Sequence, residues 1–88
     1  MSELEDEFSQ AQVEVKQLSK KPDNNSLLFL YGHFKQATVG DAGGKRPGVF
    51  DQVGRAKYDA WAKLSGTSSD DAKRDYIAKV RELQAADS

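Results

Sequence analysis

The chain has no cysteine in its 88 residues, which excludes disulfide staples and a thiolate zinc site and suits a reducing compartment. It has almost no net charge, because 13 basic residues face 14 acidic ones and leave −1 at neutral pH. A surface built to coat nucleic acid or an anionic membrane is excluded on that ground, so any anion site must be a local cluster of bases. Long apolar runs are missing too, and none approaches the roughly 20 residues of a membrane span. The opening Met-Ser-Glu-Leu-Glu-Asp-Glu is acidic where a secretory signal is basic and then apolar. The expectation is a cytoplasmic protein. Only one histidine is present, His33, which excludes a histidine-rich metal site or a histidine dyad. It follows Gly32 and lies off the main apolar stripe, so a solvated or hydrogen-bonded surface position is expected for it. With no nucleophile and base at useful spacing, the sequence does not read as an enzyme.

Apolar residues make up 38% and charged residues 31%, enough for one small core under a charged surface. A single domain of amphipathic helices, spanning 1–88, meets that constraint most economically. Four helices are predicted, at about 4–19, 24–39, 51–65 and 68–85. The first carries Phe8, Ala11, Val15 and Leu18 at helical spacing, and Lys20-Lys21-Pro22 should end it. Asp23, Asn24 or Asn25 could cap the second, whose stripe is Leu27, Leu30, Tyr31, Phe34 and Thr38. Gly40 should stop it. The segment from Gly40 to Gly48 holds four glycines and Pro47, which excludes regular structure there. The third helix carries Val53, Ala56, Lys57, Ala60 and Leu64, and Ser65-Gly66 should close it. Ser68-Ser-Asp-Asp71 has the form of a capping box for a fourth helix with Ala72, Tyr76, Ile77, Val80 and Leu83 inward.

Charge breaks this pattern in two places. Lys57 sits between Ala56 and Ala60 on a stripe that packing alone would make apolar, and Lys35 follows Tyr31 by four residues on one face. With Tyr31 and Tyr76 they could converge on a polyanion, which lysine suits as a point-charge donor to phosphate oxygens. The competing reading is plain: a lysine at a stripe margin ordinarily snorkels to water, and aromatic residues at helical spacing ordinarily build core. Gly43-Gly44-Lys45 does not make a phosphate-binding loop, because Arg46 stands where a hydroxyl should follow and no strand precedes it.

Tyr31-Gly-His-Phe-Lys-Gln-Ala-Thr-Val-Gly-Asp41, then Arg46-Pro-Gly48 and Gly54-Arg-Ala-Lys-Tyr-Asp-Ala-Trp61, closely resemble the signature of the acyl-CoA-binding protein family. Agreement extends to Phe8, Val15-Lys16, Lys21-Pro22, Gly66-Thr67-Ser68 and Tyr76-Ile77, and so covers about residues 8–83. The resemblance implies an all-α four-helix bundle of up-down-down-up topology, with the glycine-rich segment as the long crossover between helices two and three. It implies a monomeric carrier of medium- to long-chain acyl-CoA, in transient contact with membranes and acyl-CoA-using enzymes, with no cofactor, metal or nucleic acid. By position, Tyr31, Lys35 and Lys57 should hold phosphates with help from Lys16, Phe34 should lie near the adenine, and Tyr76 should add a contact. Leu27 and Leu28, with the Ala11–Gln12 face, should border the acyl chain, while Trp61, Val15 and Leu83 belong to the fold.

Two positions depart from the family pattern. Phe34 stands where tyrosine is usual, at a cost of about one hydrogen bond, roughly 0.5–1.5 kcal/mol, and Tyr58 replaces a tryptophan. The rival from another class is a helical interaction module whose groove takes an amphipathic partner helix. A weaker rival is a nucleotide- or RNA-binding bundle, against which the net charge weighs.

Overall fold

The computed structural model describes residues 2–87 and consists of α1 (Glu3–Glu14), α2 (Asn24–Thr38), α3 (Gln52–Ala62) and α4 (Ser69–Asp87). No strand occurs among the described residues, so the expected all-α class is what is found. Each helix starts on a short polar side chain that takes one of the N–H groups left unpaired in a first turn. Ser2 Oγ accepts from the Glu5 amide, the Asp23 carboxylate from Ser26, the Asp51 carboxylate from Gly54, and Ser68 Oγ from Asp71. Of the three candidates before α2, Asp23 is therefore the cap. Only one arm of the expected capping box forms, since the Asp71 carboxylate accepts from Arg74 at 3.0 Å.

The first helix is shorter than its periodicity predicts. It tightens into a 3₁₀ turn at Val15–Gln17, and Leu18 is extended. The cause lies at the other end of the chain. The Asp87 carboxylate accepts the N–H groups of Ser19 and Lys20, both at 3.0 Å, and the Ser19 hydroxyl at 2.8 Å. Those two amides cannot then serve a helix, so the chain leaves α1 before Pro22 acts.

Side-chain pairs fix the directions. Phe8 meets Tyr76, Glu14 meets Arg81 and Ser19 meets Asp87, so α1 and α4 run the same way. Ser69 meets Ala37, Asp75 meets His33 and Lys79 meets Phe29, so α4 runs against α2. Lys57 over Tyr31 and Lys35 over Trp61 make α2 and α3 parallel neighbours. Parallel neighbours require a crossover. The chain turns at Gly40, whose φ of +103° favours glycine, and returns along α3. On the way the Trp61 indole donates to the Gly40 carbonyl at 2.6 Å and Arg46 grips Asp59 with two bonds of 2.9 and 2.7 Å.

The core is Phe8 and Ala11 of α1, Leu30 and Ala37 of α2, and Ala72, Tyr76, Ile77 and Val80 of α4. The third helix contributes no buried residue and packs on α2 alone. Its seat is Gly32, where a methyl group would stand 2.6 Å from the Ala60 carbonyl oxygen. Because α2 is covered by α4 on one side and α3 on another, it buries Ser26, Gly32, His33 and Gln36 beyond its apolar stripe.

His33 is thus a correction to the sequence reading, being 6% exposed rather than at the surface. Its ring stacks on Phe29 with centroids 4.0 Å apart, Nδ1 donates to the Phe29 carbonyl at 2.8 Å, and Nε2 lies 3.7 Å from the Asp75 carboxylate.

Candidate functional site

The predicted stripe of α2 is mostly not core. Leu30 is buried, Leu27, Tyr31 and Phe34 are half-buried, and Thr38 is exposed. With Val15 and Lys16 from the 3₁₀ turn, Pro22, and Tyr76 of α4, these residues other than Thr38 line an open groove of about 330 Å³. A second groove of about 330 Å³ lies between the first turns of α2 and α3, lined by Asn24, Leu27, Leu28, Gln52, Val53, Ala56 and Lys57. Leu27 belongs to both. The helices form this pair of grooves because α3 rests only on α2 and leaves the α1 side of that helix uncovered.

Charge is placed unevenly around them. Away from them five basic groups hold carboxylates: Lys73 holds Glu5, Arg74 holds Asp71, Lys79 holds Glu82, Arg81 holds Glu14 and Arg46 holds Asp59. Lys16, Lys35 and Lys57 close no ion pair among the described residues, and neither do Lys20, Lys21, Lys45 and Lys63. The Lys57 ammonium stands 5.4 Å from the centroid of the Tyr31 ring, and that of Lys35 stands 4.9 Å from the Trp61 ring. Cations held on aromatic faces keep their N–H donors free for an anion. The Tyr76 ring packs edge-on against Phe8 at 5.1 Å, and burial raises its hydroxyl pKa, so it stays a neutral donor. Phe34 stacks on Phe8 at 6.2 Å and turns its open side to the groove.

The structure brings together Lys16, Leu27, Tyr31, Phe34 and Tyr76 around one groove, and Leu27, Leu28 and Lys57 around the other. Lys35 lines neither and flanks Tyr31 one turn further along α2. The α1 border expected from Ala11 and Gln12 is a correction. Ala11 is 0% exposed in the core, three residues on from Phe8 on the same stripe, and Gln12 is half-buried and donates back to the Phe8 carbonyl. In their place α3 supplies Gln52, Val53 and Ala56. Val53 and Ala56 carried a signal, since they share the Lys57 stripe. Val15 and Trp61, expected to serve the fold, also touch this site, the first as groove wall and the second as seat for Lys35. Among the described residues no cluster of His, Cys, Asp or Glu could hold a metal, and no helix is long and apolar enough to cross a membrane.

Comparison with known proteins gives the family. The family described as acyl CoA binding protein matches residues 5–80. An acyl-CoA-binding protein of Brassica napus is 46% identical over 84 residues, covering 96% of this chain and 91% of the relative. A Manduca sexta acyl-CoA-binding protein homolog is 49% identical over 84 residues, covering 94% and 93%. The crystal structure of Oryza sativa Acyl-CoA-Binding Protein 2 superposes with a TM-score of 0.90 at 41% identity, covering 94% of this chain and 90% of that one. The chain belongs to the acyl-CoA-binding protein family, whose members bind their ligand rather than transform it.

Proposed function

We propose that the protein binds medium- to long-chain fatty acyl-CoA esters and carries them as a cytoplasmic, monomeric pool former, exchanging them with membranes and acyl-CoA-using enzymes. One observation carries the reading: two apolar grooves that share Leu27 are bordered by Lys16, Tyr31 and Tyr76 in one and Lys57 in the other, with Lys35 beside Tyr31. None of these three lysines is tied up by a carboxylate among the described residues. In this reading Tyr31, Lys35, Lys57 and Lys16 take the phosphates, Phe34 offers a face to the adenine, and Tyr76 adds a hydrogen bond. Leu27 and Leu28, with Val53 and Ala56, take the chain.

The ligand is an amphiphile, and each end contributes separately. Each buried methylene supplies about 0.8 kcal/mol, so ten give a gross gain of ~8 kcal/mol before ordering costs. Free palmitate keeps that gain without the phosphate contacts, and free CoA keeps the contacts without the tail. Calorimetric titration with palmitoyl-CoA, CoA and palmitate tests the idea, with the ester expected to bind far more tightly than either half. Palmitate binding as well as the ester would sink it. An amphipathic helical peptide competing with palmitoyl-CoA at equal affinity would favour the interaction-module alternative.

A further inference from the structure

The segment that delivers the chain into α3 places apolar side chains where a loop ordinarily has none. Gly48 and Asp51 close a β-turn through a 3.0 Å bond from the Asp51 amide to the Gly48 carbonyl. Its two corner positions, usually given to Gly, Asn, Asp, Ser or Pro, are Val49 and Phe50. They are 64% and 99% exposed, and Val53, on the first turn of α3, is 68% exposed. Val53 also lines the groove at the N-terminal ends of α2 and α3. The exposed patch is therefore continuous with the proposed path of the acyl chain.

The charge around the turn favours one kind of partner. Residues 41–59 contain Lys45, Arg46, Arg55 and Lys57 against Asp41, Asp51 and Asp59; Asp59 holds Arg46, which leaves Lys45 and Lys57 without an ion pair among the described residues. Lys20 and Lys21, just before α2, are exposed near the same end. The acids there face backbone amides: Asp51 caps Gly54, Asp23 caps Ser26 and Asp87 holds Ser19 and Lys20. We infer that the Val49–Phe50 turn is a docking tip for an anionic lipid bilayer, seating the groove mouth at the membrane surface. An apolar tip with unpaired lysines on both sides of it in the chain suits that surface, where a buried ring adds to attraction by acidic headgroups. The inference rests on the carrier reading for its purpose, though docking itself requires no ligand.

Cosedimentation of the unloaded protein with phosphatidylcholine vesicles, with and without phosphatidylserine, tests it. Binding is expected only with phosphatidylserine and should weaken as salt rises, through screening. Phe50→Ser should lower partitioning roughly tenfold, while Val39→Ser, at an exposed apolar position on the far end of α2, should not. Unchanged circular dichroism and unchanged palmitoyl-CoA affinity in vesicle-free titration would place the loss in docking. Wild-type protein that ignores anionic vesicles, or Phe50→Ser that binds like wild type, overturns the inference. So does a concentration-dependent dimer abolished by Phe50→Ser, which would assign the tip to a second copy. Failure to bind palmitoyl-CoA in the vesicle-free titration would count against the carrier reading and leave the vesicle result standing.

Discussion

At the residue scale, the lysines proposed for the site are ones that the fold does not use for ion pairs. Lys57 is exposed and Lys35 half-buried, and neither closes an ion pair among the described residues. Lys35→Ala and Lys57→Ala should each weaken palmitoyl-CoA binding by about 1.5–3 kcal/mol, the range for hydrogen bonds to charged groups. Their melting temperatures should stay near wild type; equal affinity by calorimetry would return both lysines to the role of snorkelling surface groups. Gln36 behaves oppositely. At 1% exposure its amide donates to the Asp41 carboxylate at 2.8 Å and to the Thr67 carbonyl at 2.9 Å, tying the exits of α2 and α3. Gln36→Ala should cost about 2–4 kcal/mol in urea unfolding, from two lost bonds and a cavity. The position of Lys57 on an apolar stripe was legible in the sequence. The burial of Gln36 and His33 was not, because periodicity on α2 gives one face and says nothing of a second neighbour.

At the scale of elements, the pairing of α2 with α3 decides both stability and the groove. Gly32 permits the contact, and α3 has no other helix to hold it. Gly32→Ala should therefore push Ala60 away and destabilise the protein by about 1–3 kcal/mol, the cost of overpacking. It should also weaken ligand binding, because Leu28 and Ala56 line one groove from opposite helices. Thermal unfolding with and without palmitoyl-CoA measures both effects, and a variant as stable as wild type would show that the helices can slide apart freely. Helix existence and order were readable from apolar spacing and from Gly40, Gly66 and Pro22. The end of α1 was not, since it depends on Asp87, 68 residues away from Ser19. The α3 wall of the groove was half visible, in Val53 and Ala56 beside Lys57; the α1 wall was misplaced, because Ala11 repeats the core spacing of Phe8.

For the whole molecule, the carboxylates make stability depend on acid. The amide of Gly66 and then the Gln36 side chain lower the pKa of Asp41, and Arg46 lowers that of Asp59. The amides of Ser26 and Ser19 do the same for Asp23 and Asp87, and Gln84 leads the lowering of Glu14. Each therefore titrates below its ordinary value, 3.8 for the aspartates and 4.5 for the glutamate. A carboxyl with a depressed folded pKa contributes fully above its unfolded pKa, and the contribution is lost as pH falls through the folded one. The melting temperature should thus change little between pH 7 and 5 from these groups and decline below about pH 4. Asp41→Asn keeps the shape and removes the charge. Melts followed by circular dichroism should show it below wild type at pH 7, with the gap narrowing as the solution is acidified. A gap that stayed constant down to pH 2 would mean that the Asp41 charge is not what joins the crossover to the bundle.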